Sequence, residues 1–312
     1  VDIVLLARAD RPTLSWKIDV RDALLRLGHT VHHVDDRSPV GQVWEAARGA
    51  DLLLWVRTHR RDPEGDMAAL LGRLHGRGVV TASWHMDLYW GLAKRERTIG
   101  QHPFWLTQYV FTADGHPRPW QQRGVNHRWA PACVGSRWLG YGTPRPELAC
   151  DVAFFGVRKH HPEWPYRRQL VDWLARTYGP RFRWYAAQSP NGDVRGNRLR
   201  DAVASAKVVV GDSCCPGFTV TRYWSDRLPV VTGLGGLLIH PEIKGMAEQG
   251  FVDGDTVATY RYGDFRGLRA AIGRWLDDPA GRRKVTDRAI AMVSERHTFD
   301  VRITEILNQI GR

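Results

Sequence analysis

Arg158 and Lys159 directly follow the apolar run 151–155, and Arg222 comes soon after Gly217, Phe218 and Thr219. Cations in such places stabilise a bound anion or the charge that builds on a leaving group. If residues 220–227 form a helix, Arg222 lies in its first turn, where unpaired N–H groups already favour anions and Thr219 stands beside them. The ordinary alternatives are a solvated basic loop for Arg158 and Lys159, and a structural ion pair for Arg222. A second set of residues suits proton transfer. His85 and Asp87 follow the run 79–84, and Asp10 follows the run 2–7. An imidazole or carboxylate there can act as general base on a hydroxyl, although an aspartate after a strand is also a common helix cap.

Other positions suit binding rather than catalysis. Asp212 and Ser213, with Gly211, close the run 207–211 and can meet a ligand's base or sugar, or simply cap a turn. Gly235 and Gly236 follow the run 229–232 and would let a ligand approach the backbone closely, with an ordinary turn as the alternative. Asp253–Gly254–Asp255 imitates an acidic metal motif but precedes a strand-like run at 256–260, so it reads as a turn. No C-x-x-C pair occurs, and no metal or other cofactor is expected. Four cysteines, two of them adjacent, suit a reducing cytoplasm better than a disulfide framework.

The elements that must hold these residues alternate along the chain. Short β-rich runs at 2–7, 30–34, 51–56, 79–84 and 108–112 are separated by helical stretches at 17–27, 40–48 and 66–77. Strands linked through helices of about ten residues form parallel β-α-β units with right-handed crossovers. The stretch 143–150, TPRPELAC, carries two prolines and reads as a linker. The pattern then restarts. Strands are expected at 151–155, 182–185, 207–211 and 229–232, helices at 166–178, 198–206 and 220–227, and a helical end at 264–276, 279–296 and 299–310. The expected organisation is therefore a first domain over 1–142, the linker, and a second domain over 151–312. Ligands of such doubly wound sheets sit at the carboxyl ends of the strands.

Bulk properties narrow the class. The 312 residues suit two domains, and the composition, 43% hydrophobic and 25% charged, is globular. No apolar run reaches membrane-spanning length, and the N-terminus reads as a buried strand rather than a signal peptide. The formal net charge is +12, from 45 basic and 33 acidic residues. Residues 1–148 hold 20 basic and 15 acidic groups and the remainder 25 and 18, so the excess is spread over both halves. A polyanionic partner such as nucleic acid fits that excess, as does a generally basic enzyme that binds small phosphates. The dinucleotide fingerprint G-x-G-x-x-G is missing after the first strand, where ARADRPTLSWK stands instead, which removes most support for a dehydrogenase.

The second half carries a more specific signal. VAFFGVRKHH, YRRQLVDWLA, LRDAVASAKVVVGDS, TRYWSDRLPVVT, FVDGDTVATYRYGDFRGLRAAIGRWLDD and ERHTFDVRITEIL follow one another. Their order and spacing resemble the C-terminal nucleotide-sugar domain of CgeB-like glycosyltransferases. That family has F-x-G at a strand end, then an Arg-bearing helix, an R-x-x-E segment and a closing H-T with a later Arg. WHMDLYW and YVFTADG in the first half resemble it more loosely. The resemblance covers roughly residues 79–310. It implies a GT-B fold, α/β, with two Rossmann-like domains facing each other across a cleft.

It also implies transfer of a sugar from a nucleoside-diphosphate sugar to an acceptor hydroxyl, the nucleotide sugar being a co-substrate. On that reading Arg158, Lys159, Thr219 and Arg222 hold the departing diphosphate. Asp87, His85 or Asp10 takes the acceptor's proton. Where the family's Glu holds the ribose hydroxyls, this chain has Ser225, with Asp226 as the nearest acid. The paired glutamates of the broader retaining class are absent as well. The charge suits double-stranded DNA with a hydroxymethylated base as acceptor, reached by base flipping. A glycan or small-molecule acceptor is the alternative within the enzyme class. A non-catalytic nucleic-acid-binding protein that keeps the fold is the alternative outside it.

Overall fold

The computed structural model describes residues 1–8, 16–57, 62–115 and 118–312. In chain order the first half holds β1 (Asp2–Ala7), α1 (Trp16–Arg26), β2 (Thr30–Val34), α2 (Val40–Ala47) and β3 (Leu52–Val56). It continues with α3 (Met67–Gly76), β4 (Val80–His85), α4 (Ala93–Glu96), β5 (Tyr109–Thr112), α5 (Arg118–Gln122) and β6 (His127–Trp129). The second half holds β7 (Cys150–Phe155), α6 (Tyr166–Tyr178), β8 (Phe182–Tyr185), α7 (Gly196–Ser205) and β9 (Ala206–Val210). After these come α8 (Arg227–Gly233), β10 (Leu238–Pro241), β11 (Ala258–Tyr260), α9 (Phe265–Asp277), α10 (Pro279–Arg296) and α11 (Phe299–Gln309).

Two compact units result, Val1–Pro131 with Phe299–Arg312, and Ala132–Thr298. The first has a six-stranded sheet, β2-β1-β3-β4-β5-β6, and the second a five-stranded one, β11-β10-β9-β7-β8. Every pairing is parallel. The apolar runs explain this: β3 (LLLWV) is buried at every residue, as a parallel strand covered by helices on both faces must be. In the first unit the core gathers Trp55, Phe104, Trp105 and Trp120 around Leu53, Leu70 and Val110.

The unit boundary falls earlier than the prolines of TPRPELAC suggest. Residues before that stretch already pack on the second unit, where the Gly140 N–H donates to the Gly233 carbonyl at 2.8 Å. Within it, the N–H of Thr143 donates to Asp201 Oδ1 at 2.9 Å and that of Arg145 to Ser205 Oγ at 2.8 Å. The last helix, expected in the second domain, belongs to the first unit. Phe299 stacks on Trp16 with ring centroids 6.0 Å apart, and Arg26 forks onto Asp300 at 2.8 and 2.9 Å.

One local expectation fails in an instructive way. Residues 229–232 lie in helix α8, and the strand comes later, at β10. A four-residue apolar run reads the same in either state, and Pro229 is tolerated in a helix's first turn.

Candidate functional site

In the second sheet the chain runs from β7 to β8 on one side and then crosses to β9 on the other. The switch point therefore lies between β7 and β9, and their carboxyl ends are where such a sheet binds ligands. Gly156, Arg158 and Lys159 follow β7 there, and Gly211, Asp212 and Ser213 follow β9.

Asp212 is fully buried. Its carboxylate accepts from Arg167 Nε at 2.9 and 3.0 Å and from Trp164 Nε1 at 2.8 Å, and Arg227 Nη1 lies 3.9 Å away. Burial pushes the Asp212 carboxyl up, and Arg167 and Arg227 more than offset this, holding it below the usual range. Ser213 is buried too. The Nδ1 of His240 is 2.7 Å from the Pro241 carbonyl and so carries the proton, which leaves Nε2 to accept from Ser213 Oγ at 2.9 Å. Ser213 Oγ in turn accepts the Ser225 N–H at 2.8 Å, and Ser225 Oγ donates to the Asp212 carbonyl. Burial lowers the His240 pKa to about 4, so the ring is neutral. Asp212, Ser213 and Ser225, expected to touch nucleotide, are thus joined into one buried network that fixes the end of β9.

No helix forms over 220–226, and α8 begins only at Arg227. Gly217, with φ +63°, precedes Thr219, Val220 and Thr221, whose branched side chains disfavour the first turn, and the backbone donors go elsewhere: Arg222 N–H to the Lys244 carbonyl at 2.8 Å, Ser225 N–H to Ser213. Arg222 therefore lies in no helical turn. It sits at φ 54° and Phe218 at φ 57°, the two non-glycine residues at positive φ among those described. Such backbone is strained by roughly 1–3 kcal/mol per residue and collects at ligand-binding sites. Arg222 and Lys244 are both exposed, and Phe218 is 55% exposed although its ring rests on Trp164, Tyr166 and Tyr262.

The remaining second-unit candidates divide. Arg158 forks onto Asp172 at 2.5 and 2.6 Å, so its charge is already answered within the protein. Lys159 and Asp226 are exposed, and Thr219 Oγ1 donates to the Pro216 carbonyl. Gly235 and Gly236 follow helix α8 rather than a strand, and protein fills the space beside them. A Cβ on Gly235 would lie 2.5 Å from the Tyr141 ring, and one on Gly236 2.6 Å from Val203.

In the first unit His85 ends β4, and its Nε2 is 3.8 Å from Asp87 Oδ2. Arg95 reaches the same carboxylate oxygen at 3.3 Å while its other nitrogen donates to the Leu88 carbonyl at 2.7 Å. Asp87 stays 35% exposed, whereas His85 is buried. Of the two, Asp87 is therefore the group a solvent-borne hydroxyl can reach. Asp10 lies outside the described residues. Sequence reasoning missed Asp114, fully buried after β5, which accepts the N–H groups of Tyr89 and Trp90 at 3.1 and 3.0 Å and so pins the segment after Asp87. It also missed Asp62, held by Arg57 at 2.8 Å and by His102 Nε2 at 2.8 Å, and pulled down to about 2. Burial opposes that shift, and the hydrogen bonds from His102 and Arg57 prevail. His102 Nδ1 accepts the Phe104 N–H, so this dyad caps a turn and offers no base. Arg167 and Arg227 were missed as well, because a buried arginine looks in sequence like any other.

No cluster of three or more His, Cys, Asp or Glu suited to a metal occurs among the described residues. None of the four cysteines forms a disulfide with another described residue. Residues 158–308 match the family model described as glycosyl transferase-like. Over the whole chain the structure is similar to an α-glucosyltransferase solved with UDP-glucose and DNA containing an abasic site. The TM-score is 0.72 at 10% identity, covering 100% of this chain and 99% of that one. The chain has the GT-B fold, and its second half matches the glycosyl transferase-like family. Two further structures share the fold at lower similarity. Sucrose-phosphate synthase from Thermosynechococcus elongatus has a TM-score of 0.62 at 12% identity, with 99% and 98% covered. Anabaena HepE in complex with UDP has 0.62 at 11%, with both chains fully covered. No curated protein matches this chain. No helix among the described residues is long and apolar enough to cross a membrane.

Proposed function

We propose that this glycosyltransferase moves a sugar from a nucleoside-diphosphate sugar to the hydroxyl of a hydroxymethylated base in double-stranded DNA. The observation that carries the donor half is the loop at 215–222. It keeps an exposed aromatic ring and an exposed cation in strained backbone at the carboxyl end of β9, where a ligand can repay the strain. Arg222 and Lys159 face the diphosphate in this reading, with Arg158 and Thr219 beside them. Asp226 is left as the acid for the ribose, since Ser225 is committed to Asp212. Asp87 takes the acceptor's proton.

The DNA half rests on the net charge of +12 spread over both halves, and on the likeness to an enzyme solved with DNA. The CgeB-like pattern of the second half supports the donor class, and cysteines held outside disulfides, three of them buried, suit a reducing cytoplasm. A thermal-shift panel of nucleotide sugars tests the donor half. An intact site must be stabilised by at least one of them, because a ligand that binds the folded state raises its stability. A panel without any shift would count against it.

A further inference from the structure

We propose that Arg227, at the switch point of the second sheet, is a direct ligand of the donor's diphosphate; the proposal rests on the sugar-transfer reading above.

Arg167, Arg227 and Asp212 form a group of two cations and one carboxylate, with side-chain exposures of 3%, 16% and 0%. Arg167 takes the carboxylate, its Nε lying within 3.0 Å of both Asp212 oxygens. Arg227 is left over. Its Nη1 donates to the Phe155 carbonyl at 3.0 Å but is 3.9 Å from Asp212, and its Nε is buried without an acceptor. The other carboxylate beside it, Asp226, is exposed, so its field is screened by water. A desolvated cation that shares its one buried counter-charge with Arg167 and keeps an N–H without an acceptor is unfavourable, and a bound anion would supply what is missing.

The backbone also makes room for it. Gly156 has φ +131°, and a Cβ there would stand 2.7 Å from Arg227 Nη1. Glycine at the end of β7 thus lets the guanidinium reach across the carboxyl ends of β7 and β9, the crevice where this sheet class binds its ligand. A diphosphate brings charged oxygens to the 16% of the Arg227 side chain that stays exposed and the charge that balances the cluster. It also suits the chemistry, since negative charge grows on the diphosphate as the sugar leaves. Arg158, engaged by Asp172, is less available for that task.

Isothermal titration of the full chain with inorganic pyrophosphate, a probe that needs no knowledge of the nucleobase, tests this. Arg227→Gln is expected to bind at least about tenfold more weakly than wild type, as loss of a hydrogen bond to a charged partner implies. Arg227→Lys, which keeps the cation but not the fork, is expected to fall between the two. Wild-type affinity in Arg227→Gln, or an Arg227→Lys no better than Arg227→Gln, overturns the proposal. Should Arg227→Gln fail to fold, Arg227→Lys decides alone: weaker but measurable binding supports the role, and affinity equal to wild type ends it. A wild type that binds pyrophosphate through Arg227 yet consumes no nucleotide sugar keeps Arg227 as a diphosphate ligand and sinks the sugar-transfer reading.

Discussion

The backbone N–H of Arg222 donates to the Lys244 carbonyl at 2.8 Å, so one hydrogen bond ties together two loops that each carry an exposed cation. The same bond holds Arg222 in left-handed backbone, with the Gly245 position, itself at φ +101°, crowded against its side chain. Removing the side chain and relieving the strain are therefore separable. Arg222→Ala is expected to lower sugar transfer at least about tenfold, from loss of a contact to a charged group. Arg222→Gly should lose the same activity while gaining up to about 1 kcal/mol of stability, because glycine adopts this backbone without strain. Turnover and chemical denaturation measured on both variants check the pair. Unchanged turnover removes Arg222 from the site.

Asp212 should behave as a structural residue. Asp212→Asn leaves Arg167 and Arg227 buried without their shared counter-charge, and breaking a buried pair in this way typically costs about 3–5 kcal/mol. Urea denaturation is the check. A variant of wild-type stability with altered donor preference would instead make Asp212 a nucleotide contact.

Asp87→Asn keeps the shape of the side chain and loses the proposed base. Donor binding by titration is expected to be intact while transfer falls about 10²–10⁴-fold, the usual contribution of a general base. Transfer at the wild-type rate moves the role to His85 or Asp10.

Acid should weaken the fold through His240. Its pKa in the folded chain, about 4, lies below the ordinary 6.5, so between those values the unfolded state binds more protons than the folded one. The stability is fully present above pH 6.5 and is lost as pH falls toward 4, by up to about 3 kcal/mol at roughly 1.4 kcal/mol per unit. His127, lowered to about 3 by burial, adds in the same direction. Denaturation at pH 7 and pH 4.5 should show a shallower pH dependence in His240→Gln than in wild type. Identical slopes would remove His240 as the cause.

The fold was largely legible because its long elements announce themselves. The runs at β1 and β3 and the amphipathic stretches at α1, α6 and α9 are too regular to mistake. What escaped was decided by contacts distant in sequence. A helix was expected over 220–227, yet Lys244 and Ser213 take the backbone donors of Arg222 and Ser225. Gly235 and Gly236 suggested an open approach to the backbone, and Tyr141 and Val203 occupy it. The candidate site is legible as a region, at the carboxyl ends of β7 and β9, but not residue by residue. Arg158 stands where a diphosphate ligand was expected and is held by Asp172, whereas Arg227 carries no mark in the sequence of being left with a charge to share.

Mass spectrometry of the nucleosides tests sugar transfer to a hydroxymethylated base in DNA. Hydroxymethylated and unmodified duplexes would be incubated with the chain and a panel of nucleotide sugars, then digested. The expected result is a modified nucleoside heavier by one sugar residue, formed only from the hydroxymethylated duplex and only with one or a few of the donors, with matching release of nucleoside diphosphate. Hydroxymethylated nucleosides of unchanged mass with every donor would contradict the DNA acceptor, and the absence of nucleoside diphosphate release with glycan and small-molecule acceptors as well would contradict sugar transfer itself.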